Sequence, residues 1–249
     1  MSQPNSWGFL IMHRAIRKDL DVLACAFARL DPSGAHPARA RKRIDLFALL
    51  VSHHHHAEDE FLFPLLRSVD PTFDPDPLDA EHKAMDACLA RLREAADALA
   101  GADEAHRIAA RDALAQEAGR LREIVGAHLD HEEAECVRRM DTLVDAGLMK
   151  KFEKDSAKGL SIGLASRMIP WILSNATPEE REAIEAQLPW PIRALHRLFW
   201  ERSYARVASG ICPTAPGDRG ASSCPACPSG QPATPGTGSA TPSPGRMSP

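Results

Sequence analysis

Along the first 144 positions, apolar residues recur in steps of three and four. That spacing belongs to helices that bury one stripe and wet the rest. Between residues 9 and 30 the stripe reads Phe9, His13, Ile16, Leu20, Leu23, Phe27, Leu30, and Asp31-Pro32-Ser33-Gly34 stops it. A second helix is predicted over residues 40–66 through Ile44, Phe47, Val51, His54, Glu58, Phe61 and Leu65, with Pro64 expected to kink or end it. A third, over 78–100, carries Leu78, His82, Met85, Leu89, Leu92, Ala96 and Leu99 before Gly101. A fourth, over 103–144, carries Leu121, Val125, His128, Glu132 and, off the seam, Met140. Short connections make successive long helices antiparallel. The pattern therefore predicts an all-α fold, with an up-down-up-down antiparallel four-helix bundle over residues 1–145.

A helical extension follows over residues 146–210. Thr177-Pro178-Glu179-Glu180 offers a cap, a first-turn proline and acids at the positive helix end. Ile192, Leu195, Leu198, Phe199 and Tyr204 mark a further amphipathic helix over 191–208. These helices either pack on the bundle or offer a surface to a second copy or another protein; the pattern does not choose. Residues 211–249 turn to Pro, Gly, Ser and Thr, a composition that predicts disorder.

Composition narrows the function. With 30 Lys and Arg against 34 Asp and Glu the net charge is −4, which lacks the basic excess of a nucleic-acid binder. The best membrane candidate, 161–176, falls short of the ~20 apolar residues a span needs and contains Arg167 and Pro170. No basic-then-apolar leader opens the chain, so a cytoplasmic location is expected. Cys25, Cys88 and Cys136 lie singly within helical patterns and are expected to be small buried thiols. Cys224 and Cys227 form a lone Cys-x-x-Cys with Cys212 upstream, without the second pair that a zinc site requires. His36, His106 and His196 stand without a partner at ligand spacing.

The chemistry lies on the stripes. An ionisable side chain on a buried stripe is costly unless something satisfies it. All four long helices place a histidine there, and two add a glutamate one turn later: His54 with Glu58, and His128 with Glu132. Residues at i and i+4 share a helix face, so each pair offers a nitrogen and a carboxylate to one interior point. His55 with Asp59, His56 with Glu60 and His131 with Glu135 have the same spacing, but the apolar phase favours the first two pairs and turns His53, His55, His56 and His131 aside. Imidazole with carboxylate suits iron, zinc or manganese. Six donors are too many for one tetrahedral zinc.

The order His, His-x-x-x-Glu, His, His-x-x-x-Glu resembles the hemerythrin-like, HHE cation-binding family. Residues 12–20, 54–64, 81–86 and 128–133 each resemble one of its helix motifs, so the likeness spans residues 9–144. The resemblance implies a non-haem di-iron centre held by His13, His54, Glu58, His82, His128 and Glu132. It implies that the centre binds dioxygen, or reacts with peroxide or nitric oxide, in a redox, oxygen or nitrosative stress or sensing role. Catalase-like or nitric-oxide-reacting turnover would be one form of that role. The oxygen carriers of the family use a fifth histidine one turn beyond the third-helix ligand; here that position is Asp86, expected to orient His82 or to add a ligand. The alternative is a non-enzymatic iron-binding or sensing module that acts through its C-terminal helices.

Overall fold

The computed structural model describes residues 4–33 and 36–211, and every regular element among them is helical. The 212–249 tail, with Cys212, Cys224 and Cys227, lies outside the described residues. Four long helical runs form the bundle: α1 (Trp7–Ala28), α2 (His36–Ala57), α4 (Asp76–Gly101) and α5 (Arg107–Leu143). Contacts link α1 to α5, α5 to α4, and α4 to α2, while α1 and α2 touch only sparingly. The stripes of α1, α4 and α5 are buried as their periodicity predicts, from Ile16, Leu20 and Leu23 through Met85, Leu89 and Leu92 to Leu121 and Val125. Each such leucine contributes roughly 1.5–3 kcal/mol by leaving water.

The second run departs from its predicted stripe. It passes from α2 through a π-helical turn (Glu58–Leu62) into α3 (Phe63–Val69), so Pro64 does not end it. Phe63 N–H donates to the Glu58 carbonyl, five residues back, and the widened turn accommodates a proline that has no N–H to give. The extra residue rotates the buried face: Leu62, Phe63 and Leu66 are buried, while the predicted Phe61 and Leu65 are only half-buried. Two side chains tie the start of α1 to the end of α5. Asn5 donates to the Met140 and Val144 carbonyls at 2.9 and 2.8 Å, and Ser6 Oγ donates to Asp141 at 2.9 Å.

The extension comprises α6 (Ala146–Ala157), α7 (Ile162–Asn175), α8 (Pro178–Gln187), α9 (Trp190–Leu195), a second π-turn (His196–Trp200) and α10 (Glu201–Ala208), before a short 3-10 turn to Ile211. It packs on the bundle, with α7 against α1 and α2, and α10 against α2. Trp171 and Ile211 join the same apolar core as Ile16 and Leu20. The extension thus covers the seam where α1 and α2 meet least. Among the described residues no helix is long and apolar enough to cross a membrane.

The sequence signals at helix starts act as expected. Thr177 Oγ1 accepts from Glu180 N–H, and the Glu180 carboxylate accepts from Thr177 N–H at 2.8 Å, a reciprocal cap on α8. Thr177→Ala is expected to cost about 0.5–2 kcal/mol. Thermal unfolding and faster amide exchange in α8 would report it. The buried-thiol reading holds for Cys88 and Cys136 but not for Cys25, which is half-buried on α1 and disulfide-bonded.

Candidate metal centre

The six stripe residues converge in the bundle interior, each at most 7% exposed: His13 on α1, His54 at the end of α2, Glu58 in the π-turn, His82 on α4, and His128 and Glu132 on α5. A seventh joins them. His55, expected to turn aside, is 6% exposed and its ring stacks on His82 with centroids 4.0 Å apart. Consecutive helical residues are about 100° apart, so His54 and His55 can both face inward only where helix α2 looks into the cluster between two neighbours. His53, half-buried, and His56, exposed, do not join the cluster.

The donor atoms fall into two groups. His13, His54, Glu58 and Glu132 have ligand atoms within 4.8 Å of one another, and so do His55, His82 and His128. The glutamates reach both. Oε1 of Glu58 lies 2.9 Å from Nε2 of His54, and its Oε2 lies 3.8 Å from Nε2 of His82. Oε2 of Glu132 is 3.2 Å from Nε2 of His13 and 3.6 Å from Nε2 of His128. None of these contacts has the alignment of a hydrogen bond. The Nε2 atoms of all five histidines and all four carboxylate oxygens are buried without a hydrogen-bond partner.

The other ring nitrogens show which way the imidazoles are set. Nδ1 of His13 meets Glu133 at 3.0 Å, Nδ1 of His82 meets Asp59 at 2.9 Å, and Nδ1 of His128 meets Glu81 at 2.8 Å. An ionised carboxylate only accepts, so each Nδ1 carries the proton and each Nε2 turns a lone pair inward when the ring is neutral. Glu81 also holds His131 at 2.9 Å, which places His131 behind His128 and outside the donor groups. Asp86 is exposed on α4 and takes no part; Asp59 orients His82 instead.

Electrostatics follow from burial and from the two carboxylates. Burial lowers His55 to about 2 and His128 to about 4, which keeps both rings neutral. Burial also disfavours charge on His13, but contacts with Glu132, Glu133 and Glu58 outweigh it and raise that ring to about 10. Glu132 is pushed up by burial and by the charge of Glu58. Burial likewise opposes ionisation of Glu58, yet His54 and His13 hold it well below the usual carboxylate range. A buried pair of carboxylates thus draws in positive charge, and neutral imidazoles stand ready beside it.

Magnitudes test the fit of a cation. A buried polar group without a partner costs about 1–3 kcal/mol, and more when charged. Nine such atoms in the bundle interior add up to an amount comparable with the whole net stability of a domain, roughly 5–15 kcal/mol. Cations coordinated by those atoms remove that cost, so the donor set fits metal.

The comparisons agree with this chemistry. Residues 9–140 match the family model described as hemerythrin HHE cation binding domain. No curated protein and no solved structure gives a match.

Proposed function

The chain belongs to the hemerythrin HHE cation-binding family, and from that membership we propose that its bundle holds two iron ions and binds or reacts with dioxygen, hydrogen peroxide or nitric oxide. The observation that carries the reading is the set of nine inward-facing donor atoms without partners. In this assignment His13 and His54 would hold one ion, His55, His82 and His128 the other, and Glu58 and Glu132 would serve both. An up-down-up-down antiparallel course of α1, α2, α4 and α5 accompanies it, supported by the short connections and by the order in which the helices touch. We assign residues 1–145 to the bundle, 146–210 to the extension and 211–249 to the tail. We place the protein in the cytoplasm, in a redox, oxygen or nitrosative stress or sensing role.

Iron bound there would supply one-electron redox chemistry and free coordination positions. The two glutamates and five imidazoles would hold the iron without filling every coordination position. The remainder suits water and one small ligand. The chain's own residues do the rest. Glu133, Asp59 and Glu81 hold protons on Nδ1 of three ligands and fix their rings. Phe9, with its ring centroid 4.0 Å from that of His13, and buried Phe63 beside His82 restrict water.

Protein from iron-replete cells is expected to carry about two irons per chain, with an absorption spectrum that changes on adding peroxide or nitric oxide. Zinc, no metal, or an inert spectrum overturns the reading. Oxygen release from peroxide, or consumption of nitric oxide, would register turnover. Glu81→Ala is expected to lower metal affinity about 10–100-fold by freeing His128 to rotate, as read by competition with a chelator.

One contact favours the sensing alternative. Arg14, beside His13, pairs with Glu180, whose carboxylate also closes the cap of α8. A change of metal state at His13 would then reach the extension, and through it a second copy or a protein partner. Cleavage within residues 146–210 that differs with and without iron would support this route; identical digests would exclude it.

A further inference from the structure

A second site lies at the joint between bundle and extension, away from the histidine cluster. A cleft of about 480 Å³ opens between α2 and the helices α7 and α10. That volume is within the range of small-molecule sites, which gather where structural units meet. Leu46, Leu49, Trp200 and Val207 line it as an apolar floor. Its charged lining is Lys42, Asp45 and Arg167.

These three charges do not cancel within the cleft. Asp45 is already engaged by Arg41 at 3.2 Å and Arg93 at 3.1 Å. Lys42 and Arg167 are exposed, and neither pairs with a carboxylate among the described residues. The cleft therefore presents two uncompensated cations above an aromatic and aliphatic floor. Hydroxyl-bearing Ser166, Ser203 and Tyr204 complete the lining. Nothing in the metal reading requires this arrangement.

We propose that the cleft between α2, α7 and α10 binds a small organic anion that has a flat or short apolar body. The anionic group sits between Lys42 and Arg167, and the body lies on Trp200 and Leu49. Because Lys42 comes from the bundle and Arg167 from the extension, the ligand clamps one to the other.

The test uses the full-length protein with 1-naphthoate, 1-naphthyl phosphate and neutral 1-naphthamide as probes in titration calorimetry. One or both anions should bind, and the amide should bind at least about tenfold more weakly, a loss typical of removing one charge-assisted contact. The tighter anion identifies carboxylate or phosphate as the head group. Lys42→Glu with Arg167→Glu should weaken anion binding at least about tenfold, while the iron content and the helical circular dichroism stay unchanged. Should the double reversal disturb the helical signal, Lys42→Gln with Arg167→Gln replaces it, with the same expectation. Trp190→Ser, at an exposed tryptophan outside the cleft, should keep full affinity. Equal binding of the amide, undiminished binding after charge removal, loss of binding in Trp190→Ser, or no binding by either anion would each overturn the proposal.

Discussion

Glu58→Ala is expected to empty both metal positions, whereas His55→Ala is expected to empty one. Glu58 is the residue whose two oxygens face different donor groups, one toward His54 and the other toward His82. In the proposed centre its loss would take a donor from each group and a negative charge from between them. His55 belongs to only one group, with His82 and His128. Iron analysis of the purified variants should therefore read about zero and about one ion per chain against about two for the parent. Both variants should stay helical, since each shortens a side chain that faces a polar interior. A His55→Ala protein that retains full iron would return the centre to six ligands and leave His55 as a stacking partner of His82.

Arg43→Ala is expected to be the most destabilising change away from the metal centre. Arg43 is 1% exposed and pairs with Asp19, 6% exposed, across the sparse contact between α1 and α2. Removing the cation strands a buried carboxylate, at a cost of about 3–5 kcal/mol. In a chain of this size that lowers the melting temperature by about 10 °C. Replacing both partners, as Asp19→Leu with Arg43→Met, leaves no orphaned charge and should recover most of the loss. A single variant that melts with the parent would mean that water reaches Asp19 in place of the guanidinium.

The helical bundle and the burial of His13, His54, Glu58, His82, His128 and Glu132 were legible because helical periodicity is local. His13, His82 and His128 each continue an unbroken apolar stripe, and the i, i+4 spacing brings in Glu58 and Glu132. His55 was hidden by the same logic. A stripe assigns one inward position per turn, but α2 buries two neighbours, His54 and His55, at once. The π-turn at Glu58–Leu62 escaped for a related reason, since a 3.6-residue repeat cannot register an inserted residue, although Pro64 marked the place. The carboxylates behind the imidazoles were invisible to spacing altogether. Glu81 precedes His82 in the chain yet serves His128 on another helix, and Asp86, one turn from His82, faces solvent. Pairing across helices depends on how they are rotated against each other, which no single segment records.

The extension's place over the α1–α2 seam has a consequence for where this protein can be cut. The family match stops at residue 140, but the core does not: fully buried Trp171 shares a cluster with Leu20 and Leu23. A fragment trimmed to the matched residues would present a greasy trench along the side where Asp19 and Arg43 meet, and that trench would drive it to self-associate or precipitate. The apolar core that backs the histidine cluster runs on to Ile211, some seventy residues beyond the border that family likeness draws.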